Sequence, residues 1–134
     1  MFSGYEVQVN PRRNWTSAAE IFTERDGLLG VLARITSIEE LCEAQTEIRD
    51  NSNYGYWTAL KRNSMGEYQW GHLVTSTVNV SDELLDKTLP NRCYVINKSA
   101  MKLLSKDCNS LEGVLLSYTD GGDGRQNFSS SNET

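Results

Sequence analysis

A single α+β domain is the fold class this sequence predicts, and three observations predict it. Two helix signals stand in the first part of the chain, short apolar runs of strand character fill the rest, and one long polar stretch interrupts them. Residues 5–9 alternate polar and apolar side chains, as a half-buried strand does. Residues 11–14 follow as a turn around Pro11. Asn14 or Thr16 is placed to cap a helix over about 17–25, with Ala18, Ile21 and Phe22 on one face, and Asp26-Gly27 stops it. Residues 28–35 are apolar and become extended toward their end. Ser37 then has N-cap character and Glu40 the capping-box spacing of a second helix. It runs from 38 to about 49, with Ile38, Leu41, Cys42 and Ile48 on its apolar side, and the unpaired Cys42 is expected to pack there as a buried thiol.

Residues 56–60 read as a strand, 64–66 as a turn and 68–70 as the start of another strand. Residues 71–90 show little pattern beyond one helical turn near 82–85. Loops of that length in compact domains are commonly functional. Residues 93–97 and 114–118 are strong strand runs, with a turn or short hairpin over 99–105. From Gly121 the chain is rich in Gly, Ser and Asn. The domain is therefore expected to span 1–119, with 120–134 a flexible tail or linker.

The 134 residues suffice for one domain, and 38% apolar content implies a modest core that a cross-link would help. The net charge of −5, with basic residues scattered as pairs such as Arg12-Arg13 and Lys61-Arg62, argues against nucleic acid and against anchoring to anionic membranes. No run is long and apolar enough to cross a bilayer. Residues 1–10 do not read as a signal peptide, so an export signal is expected to have been removed or to belong to a longer parent. His72 is the one histidine, and there is no Ser-His-acid pattern, no C-x-x-C and no G-x-G-x-x-G. Neither catalytic residues, a metal site nor a cofactor is expected.

Five N-x-S/T sequons occur, at Asn14, Asn79, Asn97, Asn127 and Asn132, where chance gives about two. The excess favours a secretory-pathway protein. Three cysteines, Cys42, Cys93 and Cys108, make an odd count, which in an oxidising compartment means one disulfide and one thiol left over.

The residues taken in order resemble the C-type lectin-like domain family. Trp15, Ala18 and Phe22 stand where the family's first helix carries W-x-x-A-x-x-x-C. Leu32, Ala33, Ile35, Ser37 and Glu40 match L-A-x-I-x-S-x-x-E, and Trp57-Thr58-Ala59-Leu60 matches the W-I-G-L strand. Tyr68-Gln69-Trp70 matches the W-x-W region, and Leu116-Ser117-Tyr118 the final strand. The resemblance covers about residues 5–118. It implies two helices packed on small antiparallel sheets with a long loop region, a Cys93–Cys108 inner disulfide, and burial of Trp57 and Trp70. The family's outer disulfide has no cysteines here: Phe22 and Ser117 hold those positions, and a buried Phe22 is expected to repack the site.

Sugar-binding members of the family carry E-P-N or Q-P-D in the long loop and W-N-D before the last inner cysteine. This chain has Thr88-Leu89-Pro90-Asn91 and Leu103-Leu104-Ser105, so neither set of oxygen ligands for Ca²⁺ is present. Asp82, Glu83 and Asp86 read as a solvated polar face. What the resemblance implies is a calcium-independent recognition module of a secreted or cell-surface glycoprotein, with a protein ligand at the cell surface or in the extracellular matrix, as in adhesion. An atypical carbohydrate-binding domain and a structural or oligomerisation module are the alternatives. The long loop is the default binding surface, with His72, Leu73, Val74, Leu84, Leu85, Leu89 and Asn91 as candidate contacts.

Overall fold

The computed structural model describes residues 2–48, 55–71, 76–87 and 91–119. The elements run β1 (Phe2–Arg13), α1 (Trp15–Ala19), β2 (Phe22–Arg25), β3 (Leu28–Leu32), α2 (Ile38–Gln45), β4 (Tyr56–Arg62), β5 (Tyr68–Trp70), β6 (Cys93–Ile96), β7 (Leu104–Lys106) and β8 (Glu112–Thr119). The strands join in the order β2-β3-β8-β4-β6-β7, with β1 also on β8 and β5 on β4. β4 and β8 pair in parallel, and the other strand pairs are antiparallel. This is an α+β C-type lectin-like arrangement in which the first and last strands lie side by side.

The core is centred on β4. Trp57 and Trp15 are both fully buried, and each indole finds a backbone acceptor. Trp57 Nε1 donates to the Arg13 carbonyl at 2.7 Å, and Trp15 Nε1 to the Thr58 carbonyl at 2.8 Å. Trp70 is buried on β5, as expected. Between Trp57 and Lys61 the register with β6 shifts. There the Thr58 hydroxyl donates to the Tyr94 carbonyl at 2.9 Å, and the Ala59 N–H turns to the Ala33 carbonyl at 2.7 Å. The bulge thus ties the sheet to the chain leading into α2.

β1 runs on to Arg13 where a turn was expected from residue 11, and α2 ends at Gln45 and not near 49. Three further expectations need correction. The first helix is only Trp15–Ala19, and residues 22–25 are a strand. Asp26 and Gly27 both adopt left-handed backbone conformations, with φ of 54° and 80°. Such a two-residue turn matches the twist of a β-hairpin, so Asp-Gly joins two strands here instead of ending a helix. Second, Phe22 is not buried: it is 59% exposed on β2 and fills no core space. Val31 pairs with Phe22 on one side and with Ser117 on the other. With β3 between them, positions 22 and 117 lie two strand spacings apart, about 10 Å. That exceeds the reach of a disulfide. Third, Cys42 is exposed, since Leu41 and Ala44 form the buried stripe of α2 and Cys42 lies beside it.

Side chains hold β1, the β2–β3 hairpin and β8 together instead of an outer bridge. The Tyr118 hydroxyl donates to Glu6 Oε1 at 2.8 Å, Arg25 pairs with Glu6 Oε2 at 3.0 Å, and the guanidinium lies 4.5 Å from the Tyr118 ring centre. The exposed ion pair contributes little by itself; the ring and its hydroxyl contribute more. The Tyr118 ring lies over Gly30, where an added Cβ would come 2.6 Å from the ring and 2.8 Å from Thr23. Gly30→Ala should therefore displace Tyr118 and cost about 1–3 kcal/mol, read as a lower urea midpoint. A midpoint equal to the parent's would show that the ring is not wedged there.

The Cys93–Cys108 disulfide is present, with Cα atoms 5.2 Å apart. Cys93 opens β6 and is buried, while Cys108 sits in the turn after β7, and its carbonyl accepts from the Trp15 N–H at 2.9 Å. The bridge therefore fastens the β6–β7 hairpin to the start of α1.

Among the described residues, Tyr5, Tyr94 and Tyr118 have raised pKa values. Burial is the main cause for each. Glu40 and Glu43 add to it for Tyr5, Tyr68 for Tyr94 and Glu6 for Tyr118. A folded pKa above the unfolded value favours the neutral phenol in the fold. The associated stability is complete below the ordinary tyrosine value of 10.0 and is lost as pH rises beyond it. Ultraviolet titration should show late-ionising tyrosines whose release coincides with alkaline unfolding. Six tyrosines titrating together near their ordinary value, with the fold intact, would contradict this.

Candidate functional site

α2 begins where Ser37 accepts the Glu40 N–H at 3.1 Å. The Glu40 carboxylate reaches one residue beyond the cap, accepting from both the N–H and the hydroxyl of Thr36 at 2.7 Å each. The helix is thus anchored at its start. With Leu41 and Ala44 facing the core, Glu39, Cys42 and Glu43 point outward. Opposite them lies the turn at residues 81–84. The Ser81 hydroxyl accepts the Glu83 N–H at 3.1 Å, and its carbonyl accepts the Leu84 N–H at the same distance. Beyond the turn the chain runs beside β7: the Leu84 carbonyl accepts from the Leu103 N–H at 2.8 Å, and the Asp86 N–H donates to the Leu103 carbonyl at 3.1 Å.

α2 and this turn enclose an open groove of about 940 Å³. Ile38, Cys42 and Leu84 supply its apolar part, with Glu39, Glu43 and Glu83 among its polar lining. A smaller open recess of about 400 Å³ lies between β1, Arg25 and Tyr56, with the Glu6–Arg25 pair in its lining.

Leu84 and Leu85 are not surface contacts: they are 3% and 1% exposed, because they anchor the long loop against β7. Asn91 is exposed, and its carbonyl accepts from Arg62 at 3.4 Å. His72, Leu73, Val74 and Leu89 lie outside the described residues, as do Asn127, Asn132 and the expected tail at 120–134. Asp82 is engaged by Lys87 at 2.8 Å, and that hydrogen bond holds its carboxyl below the usual value. Lys87 also lies 5.6 Å over the Tyr68 ring. Leu104 and Ser105 stand at the N and D of W-N-D, where sugar-binding relatives present oxygen ligands; Leu104 is partly buried and has no side-chain oxygen, and Ser105 is buried. Among the described residues no cluster of three or more His, Cys, Asp or Glu could hold a metal ion.

The α2 groove was not anticipated from sequence. Its one local signal is Glu43, an acid in the last turn of α2 four residues after Glu39, where helix stability does not ask for one.

No family profile matches this sequence, and no curated protein does. Solved structures do match. The C-type lectin CEL-I from Cucumaria echinata superposes with a TM-score of 0.63 at 12% identity, over 86% of this chain and 89% of its own. Human lithostathine gives 0.59 at 15% identity, over 84% and 81%. The mouse scavenger receptor C-type lectin carbohydrate-recognition domain gives 0.59 at 14% identity, over 88% and 94%. At these identities the likeness speaks to backbone architecture. The chain has the C-type lectin-like fold.

Proposed function

We propose that this domain is a calcium-independent recognition module of a secreted or cell-surface glycoprotein and that its ligand is a protein. It is a binding module and not an enzyme. The observation that carries the reading is β7 with its partner loop. Leu104 offers no oxygen and Ser105 is buried where calcium-dependent relatives need exposed oxygen atoms, and Asp82 in the loop is occupied by Lys87. The disulfide supports an oxidising compartment. No helix among the described residues is long and apolar enough to cross a membrane. The carbohydrate reading loses its best stacking platforms, since Trp57 and Trp70 are core residues.

The test is staining of a cell panel with a tetramer of the domain made in mammalian cells. Staining removed by mild surface proteolysis and retained after glycosidase treatment supports a protein ligand. Staining removed by glycosidase and retained after proteolysis overturns it.

The sequons give a second check. Asn79 is exposed, so full glycan occupancy is expected there. The Asn97 Oδ1 accepts the Ser99 and Ala100 N–H groups at 3.2 and 2.7 Å, a turn that does not use the Nδ2 that a glycan would occupy. Asn14 caps α1 through its bond from the Ser17 N–H at 2.9 Å, beside buried Trp15, so partial occupancy is expected. Glycopeptide mapping that finds Asn14 fully occupied and Asn79 bare would reverse this order.

A further inference from the structure

We infer that the groove between α2 and the turn at residues 81–84 docks a basic, apolar-bearing segment of the protein partner. This rests on the protein-ligand reading above and assigns it the surface between α2 and the adjoining turn. The groove combines two properties. Its apolar part, chiefly Ile38 and Cys42, can take aliphatic side chains, and it is rimmed by Glu39, Glu43 and Glu83, all exposed and none in an ion pair among the described residues.

The helix dipole accounts for Glu39, in the first turn of α2, but not for Glu43. Glu43 lies in the last turn of α2, which carries no basic residue, although a helix C-terminus favours cations. Glu39 and Glu43 repel each other across one turn. In the turn itself Lys87 is held by Asp82, on which Lys102 also acts. The rim thus carries three carboxylates that no ion pair among the described residues engages, beside apolar surface. A segment alternating aliphatic and basic side chains complements both, the aliphatic groups supplying burial and the basic groups steering and register.

The probe is a fluorescein-labelled peptide of alternating leucine and arginine, with a leucine/glutamate peptide of equal length as control, titrated into the full chain by fluorescence anisotropy. Binding of the leucine/arginine peptide is expected, weakened about tenfold or more by the combined variant Glu39→Lys, Glu43→Lys and Glu83→Lys, and weakened by added salt. The three side chains are exposed, so the fold should persist; if circular dichroism shows otherwise, the Glu→Gln set at the same positions replaces it. Cys42 is an internal reporter, and its alkylation by a maleimide should slow when the peptide is bound. Equal binding by the charge-reversed variant, equal binding of the leucine/glutamate peptide, or unchanged Cys42 alkylation overturns the proposal. So does a doubled solution mass that the variants abolish, since a second copy would then be the occupant.

Tetramer staining separates this failure from failure of the parent reading. Protease-sensitive staining that the charge-reversed domain retains overturns the groove alone. Staining that resists protease overturns the protein-ligand reading itself.

Discussion

Replacing Trp57 with alanine should cost about 3–5 kcal/mol, a large share of the 5–15 kcal/mol that holds a domain of this size together. Trp57 is fully buried in β4, the strand that touches β5, β6 and β8. Removing the indole empties the centre of the core. It also strands the Arg13 carbonyl, which accepts from Nε1 at 2.7 Å. That bond ties the end of β1 to β4, so the loss also reaches the strand that joins the chain's start to its end. Trp57→Phe should fall between, keeping much of the apolar volume but losing the donor. Urea unfolding of the three proteins should give midpoints in the order Trp, Phe, Ala. An alanine variant within 1 kcal/mol of the parent would mean that β4 is not the centre of the core.

Opening the Cys93–Cys108 bridge should cost about 3 kcal/mol in the chain-entropy model, given a loop of 15 residues. Here the loss should spread beyond β6 and β7. The turn that carries Cys108 also holds the Trp15 N–H, so a loosened turn loosens the start of α1 and the packing of Trp15. The double variant Cys93→Ser and Cys108→Ser leaves no free thiol beyond Cys42. Its unfolding midpoint should drop, and parent protein treated with reductant should follow it. A reduced protein as stable as the oxidised one would contradict the account, as would an intact mass that lacks the two-hydrogen deficit.

Local signals were legible where they had local causes. The Ser37 and Glu40 spacing located the start of α2, because capping is decided within one turn. The runs at 56–60, 93–97 and 114–118 are strands, because their apolar residues must be covered on both faces. The hairpin of β2 and β3 was misread because Asp-Gly serves equally as a helix stop and as a two-residue hairpin turn. Only the pairing of β3 with β8 decides between them. Cys42 was assigned to the apolar side because it borders Leu41; a rotation of one residue separates core from surface on a helix.

The site was less legible than the fold. Leu84 and Leu85 in a polar loop look like exposed contacts, and their burial depends on a bridge to Leu103 that no local pattern announces. The groove likewise exists only because that anchored turn faces α2, about forty residues earlier in the chain. The absence of the calcium motifs, in contrast, could be read directly from Leu89, Leu104 and Ser105.

The central claim is recognition without calcium, and the measurement that tests it most directly is tetramer binding to the same cells in calcium and again in EDTA. The account predicts equal binding in both, with no rise in the domain's thermal midpoint on adding calcium. Binding that is abolished by EDTA and restored by calcium would contradict it.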